Sequence, residues 1–296
     1  MAATGSFAYI DRETLDSELE GYATPHLYAG NSQYPFHQLD DRAFEILNND
    51  LFREEIQEGK HKSVFDSVRL MQGVGERGRD CILLQGGIHV GVIQCKRLST
   101  SLDKPTAIKE LLKLILHAHL DSRLIPEMSK FRYILAVSSS LTEPAQDLFD
   151  DFSSQILAEP DLDEWTKAVI QHFTSLKKLA IGDVREFRNR SLTSLSVESL
   201  PGIEISRRLS GHPKLFARYF EVKKVVDRDT FRDLLAEHGN EMKSWITQQS
   251  SGMKEQAFPQ LAPSDWQQEG NQKLLEDVQL LRRALSEAEK GEDFDP

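Results

Sequence analysis

The chain has 296 residues, 39% of them hydrophobic and 28% charged, with a net charge of -11. That length supports a sizeable core and one to two domains, and the acidity excludes a protein that coats nucleic acid nonspecifically, because phosphate contacts need clustered Lys and Arg. With no run of about 18 apolar residues, and no charged n-region leading an apolar h-region at the start, a soluble cytoplasmic protein without a membrane partner is expected.

In chain order, residues 1–39 read as an irregular arm, with Gly21, Pro25, Gly30, Pro35 and scattered aromatics but no sustained period. A helix follows from Asp40 to Gln57, capped by Asp40 or Asp41, with Phe44, Leu47 and Leu51 as its core stripe. Ser63 to Leu70 alternates weakly and predicts a strand. Asp80 to Gln85 and Ile88 to Arg97 predict two more, joined at Gly86-Gly87, a strong hairpin signal. Pro105 to Leu120 is apolar at helical spacing, and Phe131 to Ser138 reads as a buried strand. Thr142 then caps a helix with Glu143-Pro144 in its first turn. The order describes a mixed α/β domain over 40–155.

Residues 156–250 read as a mostly helical accessory region, with Trp165, Val169, Phe173 and Leu176 on one stripe and Leu215, Phe216, Tyr219 and Phe220 on another. Between Trp165 and Arg228 there are 13 Lys/Arg against 6 Asp/Glu, a balance that suits a backbone-binding face or solvated helix surface. Residues 251–296 read as a linker and a C-terminal amphipathic helix, the linker-like composition running from Gln248 to Pro263. Leu274, Val278, Leu281, Leu285 and Ala288 then form an amphipathic stripe too short to specify a coiled coil. The two cysteines, Cys81 and Cys95, fall inside predicted strands and read as reduced core residues.

Several motifs lack the context their chemistry needs. Gly73-Val74-Gly75-Glu76-Arg77-Gly78 matches G-x-G-x-x-G, yet a strand follows it where a dinucleotide site needs a helix N-terminus. His117 and His119 lie two apart on a predicted helix and face apart. Ser138, Ser139 and Ser140 have no G-x-S-x-G elbow. No P-loop is present.

The hairpin carries the chemistry. Alternate strand residues share a face, so Gln94 and Lys96 project together while Ile93 and Cys95 turn to the packed side. Asp80 joins Gln94 only if paired positions sum to an even number such as 174, whereas a two-residue turn at Gly86-Gly87 gives 173 and sends Asp80 to the other face. A three-residue loop with a glycine bulge, or a bulge within a strand, is therefore predicted. Turn chemistry at Asp80 and edge-strand charge at Lys96 and Arg97 are the plainer accounts of the same residues.

Phe44-Glu45 on the first helix, Gly75 and Gly78 before Asp80, and Val92-Ile93-Gln94-Cys95-Lys96-Arg97 together resemble the PD-(D/E)xK nuclease superfamily, and within it the Mrr-like restriction endonucleases. The resemblance covers about a third of the chain. It implies a restriction-endonuclease-like mixed β-sheet flanked by helices and a metal-dependent endonuclease acting on double-stranded DNA. Asp80, Gln94, the backbone carbonyl of Cys95 and Glu45 would hold Mg²⁺, with Mn²⁺ as a substitute. Lys96 would position water or stabilise charge on the phosphate. Neutral Gln94 departs from the usual Glu and implies weaker metal affinity or dependence on bound DNA. Arg77, Arg79 and Arg97 are candidate DNA contacts. The domain order also resembles N-terminal nuclease effectors of bacterial anti-phage proteins of the STAND/NACHT NTPase type, which implies a homo-oligomer or a fused or separate NTPase sensor. The alternative is a catalytically silent module that binds DNA or mediates oligomerisation.

Overall fold

A computed structural model describes residues 9–22, 24–28, 33–72 and 77–223. The linker and the Leu274 to Ala288 stripe lie outside them, as does most of the glycine-rich approach, including Gly75. A compact unit extends to Lys223.

Chain order runs α1 (Arg12–Glu20), β1 (His26–Tyr28), α2 (Asp41–Gln57), β2 (Ser67–Leu70), β3 (Cys81–Gln85), β4 (Ile88–Lys96), α3 (Lys104–Leu120) and β5 (Arg132–Val137). It continues with α4 (Glu143–Asp150), α5 (Phe152–Gln155), α6 (Leu162–His172), α7 (Ile181–Ser194), β6 (Ser196–Leu200), α8 (Gly202–Leu209), α9 (Pro213–Tyr219) and β7 (Glu221–Lys223). A five-stranded mixed sheet has the order β2-β3-β4-β5-β6. Its first three strands form an antiparallel meander, and β5 and β6 add in parallel through helical crossovers. The expected mixed α/β sheet flanked by helices is thus the observed fold class.

Helices cover both faces of the sheet. On one, Val92, Tyr133, Leu135 and Val137 pack against Ile108, Leu111, Leu112 and Ile115 of α3, backed by α6 and α7. On the other, Cys81, Leu83, Ile93 and Cys95 pack against Phe44, Leu47 and Leu51 of α2, with Ile205, Leu209 and Leu215 from α8 and α9. Phe44, Leu47 and Leu51 are fully buried, each contributing roughly 1.5–3 kcal/mol of apolar burial. Local signals set the helix starts. Asp40 accepts from Arg42 N at 3.0 Å, and Asp103 accepts from Thr106 N at 2.7 Å with Pro105 in the first turn of α3, each satisfying an otherwise unpaired donor.

The sequence expectations and the structure differ in three places. The arm expected to be irregular contains α1, whose Asp11 cap accepts from Thr14 N at 2.9 Å. Only Leu15 of this helix is buried, and ion pairs from Arg12 to Asp50 and from Arg42 to Glu18 bind it to α2. Second, the strand expected from Ser63 begins only at Ser67, because Gly59 and His61 take positive φ of 86° and 68° in the preceding turn. Third, the region beyond 155 supplies β6 to the same sheet, and β7 pairs with β1 in a separate two-stranded ribbon. The polar sequence of β6, Ser196-Val197-Glu198-Ser199-Leu200, suits an edge strand and offers little alternation to read.

Two buried acids on α2 bind the later helices. Asp50 accepts from Tyr219 Oη at 2.7 Å and pairs with Arg218 at 3.3 Å. Glu55 pairs with Arg208 of α8 and with His61 Nε2 at 2.9 Å. Much of the positive charge counted over Trp165 to Arg228 is neutralised within the fold in the same way. Arg185 and Arg188 pair with Asp163, Arg207 with Glu204 and Arg218 with Asp16. Both cysteines are buried and neither is in a disulfide among the described residues.

Candidate active site

The turn at Gly86-Gly87 is the tight two-residue kind, with φ of 55° and 80° and Gln85 opposite Ile88, the mirror-image turn that only glycine-like residues enter cheaply. By itself it would put Asp80 on the wrong face. One extra residue, Val90, lies between the pairs Leu84↔His89 and Leu83↔Gly91, and from there the register continues to Cys81↔Ile93. This is a bulge within the strand, one of the two predicted solutions, and it brings Asp80 opposite Gln94.

Asp80 is delivered by Gly78, whose φ of 86° and close approach to α3 leave little room for a side chain, since a Cβ would lie 3.2 Å from Leu114 N. Backbone bonds fix the acid at the sheet, from Asp80 N to Ile93 O at 3.0 Å and from Met71 N to Asp80 O at 2.8 Å. Gln94 Nε2 donates to Asp80 Oδ2 at 2.7 Å, and Cys95 N donates to the same oxygen at 2.5 Å. A residue's N–H and C=O point to the same side of a strand, so the Cys95 carbonyl also turns toward Asp80 and away from β5.

This pair is more enclosed than an open sheet surface, because α3 covers its face and leaves Asp80 and Gln94 each 4% exposed. Lys96, two residues further along the same face, stays partly open at 28% and pairs through Nζ with Glu110 Oε1 at 2.7 Å. Glu110 of α3 is a site residue that the sequence reading missed. The available signal was a carboxylate at the edge of the otherwise apolar stripe formed by Ala107, Ile108, Leu111, Leu112 and Leu114.

Glu45 reaches the site from α2. Arg42 donates to its Oε2 at 2.6 Å and also to the Met71 carbonyl at 2.8 Å. Burial and then the charge of Asp80 push the Glu45 carboxyl up to about 7, against the opposing pull of Arg42. The same cause, burial first and Asp80 and Glu45 after it, raises the Cys81 thiol well above its usual range, so it stays protonated and inert.

The three arginines separate. Arg77 is exposed and pairs with Asp121 at 3.2 Å. Arg97 donates to the His37 carbonyl at 3.0 Å and pairs with Asp41 at the start of α2. Arg79 is only 2% exposed. Its charge reaches His89 and His117: burial first and then Arg79 hold His89 down to about 4, and burial first, then Arg77, Lys113 and Arg79, hold His117 down to about 4. A surface phosphate contact therefore suits Arg77 and Arg97 and not Arg79 as placed.

The donor set agrees in kind with a hard divalent cation, which takes oxygen ligands. Asp80 supplies a carboxylate and Cys95 a carbonyl. Gln94 Oε1 is buried and has no hydrogen-bond partner among the described residues, but it is Nε2 that faces Asp80 Oδ2 and the Cys95 carbonyl, so the amide must turn over for Oε1 to join them. No three Asp, Glu, His or Cys side chains converge as a metal cluster among those residues, so the fit rests on one acid and uncharged oxygens, with Glu45 close by. No family model, curated protein or solved structure matches this chain.

Proposed function

We propose that the protein is a metal-dependent endonuclease that hydrolyses phosphodiester bonds of double-stranded DNA, serving as an effector of anti-phage defence. The observation that supports this reading best is the Val90 bulge, which brings Asp80 into hydrogen-bond contact with Gln94 and keeps Lys96 on the same face. Bulges also bend and twist strands, and they recur beside active sites, where they re-aim a side chain. Asp80, the oxygen of Gln94, the Cys95 carbonyl and Glu45 would hold Mg²⁺ or Mn²⁺, which when bound supplies an activated water and neutralises phosphate charge. Lys96, at the partly open end of the face, is placed to stabilise charge on a phosphate oxygen. Glu45, whose carboxyl is raised to about 7 in the metal-free protein, would be drawn to its ionised form by a bound cation and would serve there as a ligand or orient water. Arg77 and Arg97 would position the backbone.

The test is plasmid DNA incubated with Mg²⁺ or Mn²⁺. Wild type is expected to nick or linearise it, with Asp80→Ala and Lys96→Ala each slower by about 10²–10³-fold or more. Equal cleavage by wild type and both variants would overturn the assignment. A second reading, a silent module that holds DNA without cutting it, is favoured by two contacts. Asp80 Oδ2 already accepts from Gln94 and Cys95, and Lys96 is already neutralised by Glu110. Retained duplex binding with no cleavage in either metal would support that reading.

The partner proposed is a second copy of the chain or a fused or separate NTPase sensor, since clustering brings two sites to the two strands. Among the described residues no helix is long and apolar enough to cross a membrane.

A further inference from the structure

Three oxygens near the α3 face of the sheet are buried without a hydrogen-bond partner among the described residues: Gln94 Oε1, Glu110 Oε2 and the Tyr133 hydroxyl. Tyr133 of β5 stands opposite Val92, and both belong to the core on the α3 side. Burial first, and then the charges of Glu110 and Asp80, hold its hydroxyl protonated, which places Tyr133, Glu110 and Asp80 in one electrostatic neighbourhood, with Gln94 bonded to Asp80. Buried polar atoms are nearly always satisfied, so three orphans together need an explanation.

Glu110 is the informative member. A carboxylate that merely decorates a helix surface keeps both oxygens in water. Here Oε1 is engaged by Lys96 at 2.7 Å, while Oε2 is enclosed. The cation site described above is also short of charge, because Gln94 is neutral and Asp80 brings a single negative charge, whereas a hard divalent ion is held chiefly by carboxylates. The adjacent unused carboxylate oxygen belongs to the residue that also neutralises the candidate catalytic ammonium. The pair is only partly screened, at 28% and 18% side-chain exposure, so its separation has to be offset by the new contact of the carboxylate with the cation and of the ammonium with water or phosphate.

Building on the metal-dependent reading, we propose that Glu110 belongs to the same site and has two alternative partners. It holds Lys96 in the metal-free protein and turns to the divalent cation on loading, so that cation binding releases the Lys96 ammonium to the substrate phosphate. The metal-free protein is thereby kept from offering a free ammonium to any passing phosphate.

The experiment uses the full chain as wild type, Glu110→Gln, Glu110→Asp and Asp80→Ala. Mg²⁺ is titrated by calorimetry, alone and with a phosphorothioate-linked duplex. Lys96 is acetylated with and without Mg²⁺ and quantified by peptide mass spectrometry. In wild type, Mg²⁺ is expected to raise Lys96 labelling severalfold. Glu110→Gln is expected to weaken Mg²⁺ binding at least tenfold and to leave Lys96 highly labelled whether or not Mg²⁺ is present. Glu110→Asp, which keeps the carboxylate, retains part of both responses. The wild-type labelling response needs no variant and stands even if Glu110→Gln fails to fold. Loss of Mg²⁺ binding in Asp80→Ala together with wild-type affinity in Glu110→Gln would overturn the role of Glu110 and leave the metal-dependent reading intact. Unchanged Lys96 labelling in wild type that does bind Mg²⁺ overturns the exchange of partners. No Mg²⁺ binding by wild type, with or without duplex, overturns both.

Discussion

Gln94 sits where a carboxylate would face another carboxylate, because its amide nitrogen donates to Asp80 Oδ2 at 2.7 Å. Replacing it by Glu turns a hydrogen bond into a like-charge contact in a buried setting. Gln94→Glu is therefore expected to cost the metal-free protein about 2–3 kcal/mol at pH 8, a drop of several degrees in melting temperature. Mg²⁺ should restore more stability to the variant than to wild type, as scanning fluorimetry with and without Mg²⁺ would show. Glu45 gives a pH signature. With its folded carboxyl raised from 4.5 to about 7, the protonated form is favoured by folding. Its contribution is present below about 4.5 and is lost as pH rises through about 7. Melting of the metal-free wild type should fall over that range relative to Glu45→Gln, and parallel curves for the two proteins would contradict the assigned shift.

At the scale of elements, the hairpin and the helix over it hold the chemistry in place. Gly91 follows the bulge and lies so close to β5 that a Cβ there would meet Arg132 O at 2.7 Å. Since the obstacle is backbone, Gly91→Ala must push β4 from β5, an expected loss of about 2–3 kcal/mol with loss of cleavage, measured by urea unfolding and the plasmid assay. The need for an odd residue in this hairpin was readable from face parity and the glycine pair once Asp80 was required to share a face with Gln94. Its position at Val90 was not, because bulge and loop solutions give the same register beyond them. Glu110 was unreadable for a related reason. Which residue of α3 lies over Lys96 depends on how the helix crosses the sheet, and sequence periodicity fixes only which residues face inward.

Across the compact unit, the buried acids of α2 join its first and last described helices to its centre. Asp50 holds Arg12, Arg218 and Tyr219, so Asp50→Ala is expected to lose about 2–3 kcal/mol by leaving buried partners unsatisfied, seen as a lower urea midpoint. For Glu55, burial opposes ionisation, but hydrogen bonds from His61 and Arg208 outweigh it and lower the carboxyl from 4.5 to about 2. Its contribution is full above about 4.5 and is lost as pH falls toward 2, and the Arg208→Met variant, which lacks the larger part of it, should begin to unfold in acid at a higher pH than wild type. Because β6, α8 and α9 pack on the same sheet and on α2, a chain ending at residue 155 is expected not to fold. A cooperative melt of that truncation would contradict the architecture.

Periodicity, caps and turn glycines determined the local pieces from the sequence: α2 with its Asp40 cap, α3 with Pro105 in its first turn, the Gly86-Gly87 turn and the shared face of Gln94 and Lys96. These are interactions over a few residues, where a side chain's neighbours along the chain largely set its conformation. Tertiary structure decided the rest. It turned the acidic arm into α1 through ion pairs with α2, drew a polar segment into the sheet as β6, buried Arg79, and set Glu110 against Lys96. Each of these outcomes joins residues distant in sequence, and their energies come from desolvation and charge pairing that exist only once the layers have packed.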